Sequence, residues 1–325
     1  TGGGSHYIWN YATGTYGSYE KSSEHLHGMY RSRIMKTGFR HIIQLVSAAL
    51  CNGYITGFRE KTIFRGKSKM ACVPVLNCYS CPGAAGACPI GSLQAVLGDS
   101  NYRFSFYVLG TLTLFGVLLG RIVCAFLCPF GMIQELLYKI PVPKLKLPEK
   151  VDRILRYLKY LILLGFVIIG PVFVTNEFGM SSPYFCKLIC PAGTLEGGIP
   201  LVLSNPVLRN TVGNLFFWKM TVLVVVLVGS MIIYRPFCKY ICPLGAFYGV
   251  FNRFSFFKIR VEKEECIDCG MCEKKCRMNV RISRNKDQAE CIRCGECKEV
   301  CPVNAIKTEI GGKVICTKGK EYFRK

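Results

Sequence analysis

The stretch Arg121-Ile-Val-Cys124-Ala-Phe-Leu-Cys128-Pro-Phe-Gly131 recurs as Arg235-Pro-Phe-Cys238-Lys-Tyr-Ile-Cys242-Pro-Leu-Gly245. Each copy follows an apolar segment of membrane length, and each segment follows an earlier Cys-Pro-x-Gly, at Cys88 or Cys190. In Cys-x3-Cys, one helical turn places both thiols on the same face; the proline ends that helix, and the glycine lets the chain turn sharply. The repeat therefore predicts two half-units of the same orientation, related by a pseudo-two-fold axis along the membrane normal.

The C-terminal part carries a second cysteine pattern, Cys266-x2-Cys269-x2-Cys272-x3-Cys276 followed by Cys291-x2-Cys294-x2-Cys297-x3-Cys301. This spacing is typical of proteins that hold two [4Fe–4S] clusters, in which the fourth cysteine of each run ligates the other cluster. We therefore expect one cluster on Cys266, Cys269, Cys272 and Cys301, and the other on Cys291, Cys294, Cys297 and Cys276. The first run departs from the pattern at one position, where Arg277 replaces the usual proline after Cys276. Zinc is the alternative metal for any Cys-x2-Cys pair.

The composition argues against disulfide-rich scaffolds, haem proteins and nucleotide-binding enzymes. Twenty cysteines in 325 residues are too many for small core side chains, and disulfide-rich scaffolds are usually short and secreted. The chain lacks Cys-x-x-Cys-His, and its four histidines all precede the first long apolar segment, which argues against haem. No nucleotide-binding fingerprint is visible, so no catalytic residue is predicted.

The formal net charge is +22, from 42 basic and 20 acidic residues. Thiolate-ligated clusters are anionic, so part of this excess compensates them. Most of the remainder lies beside apolar segments, as expected for charge at a membrane surface. No nucleic-acid motif or long basic stripe is present, so membrane lipids are the expected partners and nucleic acid is not.

Three segments have the length and apolarity of membrane-spanning helices, at about 104–123, 157–174 and 215–234. A weaker segment at about 41–54 is either spanning or interfacial. Basic residues crowd the loop after the first segment and are scarce in 175–214, so the positive-inside rule places 124–156 and everything after Arg235 in the cytoplasm. Loops 58–102 and 175–214 then face outward, although basic residues in the first of these oppose that orientation. A multi-pass protein of the cell (inner) membrane is predicted, with its C-terminal domain cytoplasmic.

This orientation gathers four cysteines at the cytoplasmic ends of two helices, where we expect one [4Fe–4S] cluster. The alternative is a set of packed small residues. Arg121 and Arg235 lie beside this site; they either extend to lipid headgroups or stabilise the anionic cluster and raise its potential. We call the four thiols the inner site: Cys124, Cys128, Cys238 and Cys242.

Six cysteines fall on the outer side: Cys72, Cys78, Cys81, Cys88, Cys186 and Cys190. A further cluster on Cys186 and Cys190, with two of the earlier four, satisfies the repeat. Ala84 stands where the first outer corner would need a thiol. Disulfides are the alternative, because an outer compartment can oxidise thiols. Cys51 and Cys316 are expected to be ordinary thiols.

These patterns divide the chain into three parts. Residues 1–36 form a polar tail without the apolar stretch of a signal peptide. Residues 37–258 form the membrane domain, and residues 259–325 a two-[4Fe–4S] ferredoxin domain. The predicted fold is a mainly α membrane protein with three or four transmembrane helices in a pseudo-two-fold repeat, plus a C-terminal α+β two-cluster ferredoxin domain.

Paired Cys-x3-Cys-Pro corners followed by a two-cluster tail resemble the NapH/NosR/CcoG-like polyferredoxin membrane proteins. The stretch Cys72-Val-Pro-Val-Leu-Asn-Cys78-Tyr-Ser-Cys81-Pro-Gly resembles the subgroup found in anaerobic bacteria. The resemblance covers about residues 38–305 and implies electron transfer between a quinol, flavin or ferredoxin pool and a partner redox protein. The outer cysteines and the additional Cys-x3-Cys-Pro at Cys186 depart from the simpler members.

The expected function is that of a membrane-bound iron–sulfur electron-transfer subunit of a multi-subunit oxidoreductase complex. It would pass electrons between a cytoplasmic donor and a membrane or extracytoplasmic redox protein, either a flavoprotein or a ferredoxin, with flavin favoured. The alternative is a reductase or maturation factor that supplies electrons for metalloenzyme assembly. A redox sensor is disfavoured, because a sensor needs one labile centre rather than a chain of them.

Overall fold

The computed structural model describes residues 38–60, 62–98, 106–174, 181–282 and 289–315. The predicted polar tail (1–36) and Cys316 lie outside the described residues. The chain divides into two compact units, Thr1–Ile43 and Gln44–Lys325. Every site discussed below lies within the second unit.

Helices account for most of the secondary structure in the described part of the chain. Many are short, because the Cys-Pro and Gly-containing turns interrupt the apolar segments. The α-helices are Gly38–Cys51, Thr56–Glu60, Pro89–Leu97, Phe106–Leu118, Ile122–Phe126, Pro129–Tyr138, Glu149–Ile162, Gly170–Phe173, Tyr184–Leu188, Pro191–Gly193, Ile199–Ser204, Pro206–Asn210, Asn214–Ile232, Pro243–Phe251, Met271–Lys275 and Glu296–Glu299. Single π-helical stretches cover Leu163–Ile169, Thr194–Gly198 and Phe237–Ile241, and a 3₁₀ turn covers Lys67–Met70.

Two helices are long and apolar enough to cross a membrane, Glu149–Phe173 and Asn214–Ile232. The first predicted segment, at about 104–123, is divided instead: within the described residues its helix runs from Phe106 to Leu118 and is followed by a short helix, Ile122–Phe126. Gly120 causes the break, because it has a φ of +57°. An added Cβ there would lie 2.6 Å from Oδ1 of Asn252, so the turn requires glycine.

All four Cys-Pro-x-Gly sequences lie at the start of a helix. The cysteine is the residue before the helix and the proline is its first residue, in Pro89–Leu97, Pro129–Tyr138, Pro191–Gly193 and Pro243–Phe251. The sequence predicts only that the proline ends the preceding helix. It also begins the next one, because its fixed φ suits the first helical position, where no N–H partner is needed.

The C-terminal part forms a small ferredoxin domain around a three-stranded antiparallel sheet. Its strands are β1 (Phe257–Val261), β2 (Ile306–Ile310) and β3 (Lys313–Ile315), in that spatial order. Phe257 pairs with Ile310 and Val261 with Ile306. The sheet therefore joins the segment before the first cysteine run to the segment after the second.

The two cysteine runs of this domain share one backbone pattern. Residues with left-handed backbone conformation recur at equivalent positions of the two runs: Asp268 and Arg293, Gly270 and Gly295, and Asn279 and Asn304. Such residues turn a loop sharply, so that successive backbone N–H groups can face a common anion. The repeated backbone shows that the two cysteine runs form loops of equivalent conformation.

Candidate iron–sulfur sites

The four thiols of the inner site come together in the core. They are 6 to 8% exposed, and all are free. Burial raises the pKa of Cys242 well above its ordinary range, and charges on the other three thiols would raise it further. Four mutually repelling buried thiolates fit a site whose negative charge is compensated by iron, because a coordinated thiol is deprotonated outright.

Two buried arginines cross between the halves of this site. Arg121, from the first corner, donates from Nη2 to the carbonyl oxygen of Cys238 at 3.2 Å. Arg235, from the second corner, donates from Nη1 to the carbonyl oxygen of Cys124 at 2.6 Å. Both arginines are fully buried within the protein, so neither extends along its surface toward lipid headgroups.

The glycine of each inner corner leaves room for the arginine of the other half. A Cβ added to Gly131 would lie 3.1 Å from Nη1 of Arg235, and one added to Gly245 would lie 3.4 Å from Nη2 of Arg121. The charge of Arg235 is compensated by Glu135, whose Oε1 lies 3.0 Å from Nη2 of the arginine. The glycine of Cys-Pro-x-Gly therefore permits both the sharp turn and the close packing of the two half-units.

On the predicted outer side, the structure brings four of the six cysteines together: Cys78, Cys88, Cys186 and Cys190. Burial raises the pKa of Cys190 well above its ordinary range, and charges on the other three would raise it further. Burial likewise raises the pKa of Cys186 to about 12, with Cys88 and Cys78 contributing. We call these four thiols the outer site; they have the same donor chemistry as the inner site and fit the same kind of cluster.

A loop cysteine replaces the thiol that the first outer corner lacks. Ala84, at the position equivalent to the first cysteine of a corner, is fully buried. A Cβ added to Gly193 would lie 3.6 Å from Sγ of Cys78 and 3.8 Å from Sγ of Cys190, so the loop carries Cys78 to the opposite corner. Sequence spacing could not predict this substitution, because Cys78 precedes Cys88 by a folded loop rather than by one helical turn.

Cys72 and Cys81 are the remaining outer cysteines. Burial raises the pKa of Cys72, and its side-chain partner is Ser92. Cys81 lies close to the quartet: burial and the charge of Glu196 raise its pKa, and its own charge contributes to the raised pKa of Cys78. All six outer cysteines are free thiols.

Two glutamines that belong to none of the predicted motifs contact cysteine sulfurs. Gln134 Nε2 lies 3.1 Å from Sγ of Cys238, and Gln94 Nε2 lies 3.4 Å from Sγ of Cys186. Each follows the cysteine of its own corner by six residues, as Cys-Pro-x-Gly-x2-Gln. Comparing the corners beyond their glycines would have revealed this shared position.

The four thiols of the inner site share one buried core with Cys88, Cys186 and Cys190 of the outer site, and this core also contains Tyr248. Tyr248 is fully buried, and its hydroxyl donates to the carbonyl oxygen of Pro74 at 2.8 Å. Burial raises its pKa well above the ordinary range, as do nearby Cys124 of the inner site and Cys88 of the outer site. The helix that follows Cys242 therefore connects the inner site, through Tyr248, to the loop that contains Pro74.

In the ferredoxin domain, the structure groups Cys276 with the second cysteine run. A cavity is lined by Cys276, Cys291, Cys294 and Cys297. Burial raises the pKa of Cys297, and charges on the other three would raise it further. This is the crossed set expected for one cluster of a two-cluster ferredoxin.

The other ferredoxin set lies nearer the surface. Burial raises the pKa of Cys272, and the charge of Cys266 contributes. Cys272 and Cys301 pack against the same apolar cluster, whereas Cys269 is exposed. The loop that carries Cys269 is therefore open to solvent on one side.

A polar junction joins the second ferredoxin loop to the inner site. Glu290 accepts hydrogen bonds from Nη1 of Arg121 at 2.8 Å and from Nζ of Lys159 at 2.6 Å. Asn252 donates to the carbonyl oxygen of Cys291 at 2.9 Å and accepts from the backbone N–H of Arg121 at 3.1 Å. One chain of contacts thus runs from the backbone of Cys291, through Asn252 and Arg121, to the carbonyl of Cys238.

Within the described residues, no three His, Cys, Asp or Glu side chains converge on a single metal ion. The thiols gather instead as quartets, each assembled from two separate stretches of the chain. Together with the buried cations and the ferredoxin loops, these quartets define a class: an iron–sulfur protein with helices able to span a membrane.

Comparison with known proteins agrees with this class. A 4Fe–4S binding domain family matches residues 101–148 and 215–262, and a second 4Fe–4S binding domain family matches residues 285–307. These matches support the resemblance to NosR/NapH-like ferredoxin-type proteins. No solved structure matches it.

The curated relatives are similar over part of their length. The chain is 33% identical to the uncharacterized protein MJ0750 of Methanocaldococcus jannaschii, over 53% of this chain and 65% of that protein. It is 30% identical to the putative electron transport protein YccM of Escherichia coli, over 62% of this chain and 56% of that protein. The regulatory protein NosR of Stutzerimonas stutzeri is 28% identical over 52% of this chain, which covers 22% of NosR.

The crossed ferredoxin ligands can be tested in the full chain. Cys276→Ser and Cys297→Ser should each remove about four iron atoms per chain and eliminate the same ferredoxin signal in EPR spectra, because both thiols line one cavity. Cys51→Ser is the matched control, since this buried thiol contacts Ser47 rather than a cysteine quartet. Loss of different signals in the two variants would disprove the crossed arrangement.

Proposed function

We propose that this protein is a membrane-bound electron-transfer subunit with four [4Fe–4S] clusters: two in the ferredoxin domain, one in the inner site and one in the outer site. Bound clusters supply one-electron carriers whose potentials depend on charge, hydrogen bonds to sulfur and solvent exposure. The protein supplies the thiol quartets, the buried cations around them and the contacts that join one site to the next.

The polar junction at Glu290 carries this proposal. It ties the loop of Cys291 to Arg121, which in turn donates to the backbone of Cys238 in the inner site. A soluble ferredoxin appended to a membrane anchor would not need such a contact. The junction supports an electron path between the second ferredoxin cluster and the inner cluster.

The shared core of the inner and outer sites supports electron transfer from the inner cluster to the outer cluster. Both sites occupy one core, and Tyr248 reaches from the helix after Cys242 to the carbonyl of Pro74. A bilayer has a hydrocarbon core about 30 Å thick, so redox centres buried inside the protein shorten the distance that electrons must cross. This arrangement favours a path across the membrane over one confined to a single face.

We further propose the membrane arrangement predicted from the repeat. The halves containing Cys128 and Cys242 are related by a pseudo-two-fold axis, an idea supported by the reciprocal arginine contacts and by the 4Fe–4S family match in both halves. Three or four segments cross the cell membrane, and the ferredoxin domain (259–325) lies in the cytoplasm beside the membrane domain (37–258). The basic loop after the first segment supports this orientation.

The exposed loop of the ferredoxin domain supports exchange with a cytoplasmic redox protein. Cys269 is exposed, and the neighbouring side chain of Ile267 is 62% exposed, so a partner can approach the first cluster closely. The partner at the other end is a membrane or extracytoplasmic redox protein, with a flavoprotein favoured over a ferredoxin. The protein would then act within a larger complex.

A second candidate is supply of electrons to metalloenzyme assembly. Both candidates use the same clusters and differ in the acceptor. A flavin-bearing partner isolated with the protein favours electron transfer to a redox chain, and a maturing metalloenzyme favours the alternative.

Electron transfer across a bilayer is the direct test. We expect vesicles containing the full protein to reduce enclosed ferricyanide when dithionite is added outside, provided that the ferredoxin domain faces outward. Cys78→Ser should reduce the rate to that of empty vesicles, because it removes one of the four outer thiols. Cys72→Ser is the matched control and should retain the wild-type rate, since its thiol contacts Ser92.

The two parts of the proposal fail in different ways. If wild-type vesicles react no faster than empty ones, the path across the membrane is wrong. If Cys72→Ser and Cys78→Ser lower the rate equally, the path stands but the outer quartet is wrong.

A further inference from the structure

The glutamine that follows a corner cysteine by six residues occurs once at each membrane-domain site. Gln94 belongs to the corner of Cys88, and Gln134 to the corner of Cys128. At the equivalent position the other two corners carry Glu196 and Tyr248, which bond to backbone groups of Cys78 and Pro74. Each site therefore has one glutamine at this position.

At the inner site, Gln134 makes two contacts with the opposite corner. Its Nε2 lies 3.1 Å from Sγ of Cys238, and its Oε1 accepts a hydrogen bond from the backbone N–H of Phe237 at 3.2 Å. The side chain is fully buried. It thus joins the helix after Cys128 to the first cysteine of the other half.

The outer site repeats this arrangement with different residues. Gln94 Nε2 lies 3.4 Å from Sγ of Cys186, and its Oε1 accepts from the backbone N–H of Phe185 at 3.0 Å. Gln94 is 1% exposed. In both sites the glutamine contacts the first cysteine of Cys-x3-Cys and the phenylalanine immediately before it.

These contacts determine which end of the amide faces sulfur. A backbone N–H can only donate, so the amide oxygen must face Phe237 or Phe185 and the NH₂ group must face the cysteine. The NH₂ group also donates to the carbonyl one turn earlier in its own helix, Phe130 for Gln134 and Ile90 for Gln94. The orientation is therefore the same at both sites and is held by two backbone partners.

We propose that Gln94 and Gln134 are matched N–H···S donors that raise the reduction potentials of the outer and inner clusters. This inference rests on the proposed assignment of clusters to these sites. Reduction adds negative charge to a thiolate-ligated cluster, and a hydrogen bond to sulfur stabilises the more negative state more strongly. Both glutamines are positioning residues that act through a ligand.

Methionine is the appropriate replacement, because it is close to glutamine in length and cannot donate. In the full protein, Gln134→Met should lower the reduction equilibrium constant of the inner cluster about tenfold, equivalent to about 59 mV for one electron, and leave the outer cluster unchanged. Gln94→Met should lower the reduction equilibrium constant of the outer cluster by the same factor and leave the inner cluster unchanged. Each variant is thus the control for the other in EPR-monitored redox titrations.

A second measurement avoids substitutions altogether. In wild-type protein labelled with ¹⁵N at the glutamine side-chain amide, pulsed EPR should detect ¹⁵N coupled to the reduced inner and outer clusters. Detection of that coupling together with the paired shifts supports the proposal. Absence of the coupling, or unchanged potentials in both variants, would overturn it.

Failure of the underlying assignment would look different. If Cys128→Ser and Cys186→Ser leave every [4Fe–4S] signal intact, neither site holds a cluster and the proposed function fails. If those signals disappear in the serine variants while the methionine variants keep wild-type potentials, the clusters stand and only the role of the glutamines is wrong.

Discussion

Cys128→Ser and Cys242→Ser should each abolish the same [4Fe–4S] signal in EPR spectra of the reduced full-length protein. The two cysteines come from different halves of the chain, yet both belong to the inner site, where charges on the other thiols raise the pKa of Cys242 beyond the effect of burial. A [4Fe–4S] cluster needs four thiolates, so removal of either should cost about four iron atoms per chain.

The ferredoxin clusters provide an internal standard for this experiment. Their signals should remain in both variants, because their ligands lie in separate loops. Cys51→Ser should retain every signal, since its thiol contacts Ser47. If Cys128→Ser and Cys242→Ser eliminate different signals, the two halves do not share one cluster and the pseudo-two-fold site is wrong.

Glu290→Gln should strongly destabilise the packing of the ferredoxin domain against the inner site. Glu290 pairs with Arg121 and Lys159, whose side chains are both 0% exposed. Removing its charge leaves two buried cations without their partner, and breaking a buried ion pair in this way costs about 3–5 kcal/mol. The free energy of unfolding can be measured by urea denaturation in detergent, following the absorbance of the ferredoxin clusters.

Glu149→Gln is the matched control. Glu149 pairs with Arg281, but these side chains are 66% and 44% exposed, so their interaction is screened by water. An exposed pair contributes little to stability because water screens it, so the variant should unfold at the same urea concentration as wild type. Equal destabilisation by the two substitutions would show that the Glu290 junction does not hold the domain in place.

The ferredoxin domain was the part most accessible to sequence reasoning. Its cysteines lie in two short runs, so spacing alone predicts a crossed ligand set; in the structure Cys276, Cys291, Cys294 and Cys297 line one cavity. Local conformation follows the same pattern: Gly270 and Gly295 both adopt left-handed backbone at equivalent positions. Local geometry of this kind depends on neighbours in sequence and needs little information from the rest of the fold.

The membrane segments were partly predictable. Apolar length identified helices near 157–174 and 215–234, observed as parts of Glu149–Phe173 and as Asn214–Ile232. It did not identify the break at Gly120, because that glycine turns where Asn252 from a distant segment packs against it. Hydropathy measures composition along the chain, whereas this break depends on a contact across it.

Residue types and spacing were sufficient to predict the chemistry: enough thiols for several clusters, corners with proline and glycine in register, and a two-cluster ferredoxin pattern. Which thiols meet depends on the packing of segments that are distant in the chain. Cys78 lies at the corner where Ala84 supplies no thiol. Arg121 and Arg235 each donate to the opposite half-unit, and Gln134 and Gln94 each contact a sulfur of the opposite corner. Spacing can predict ligands within one helical turn, because those positions are set by local geometry, whereas a shared site depends on how separate segments pack around a common buried charge.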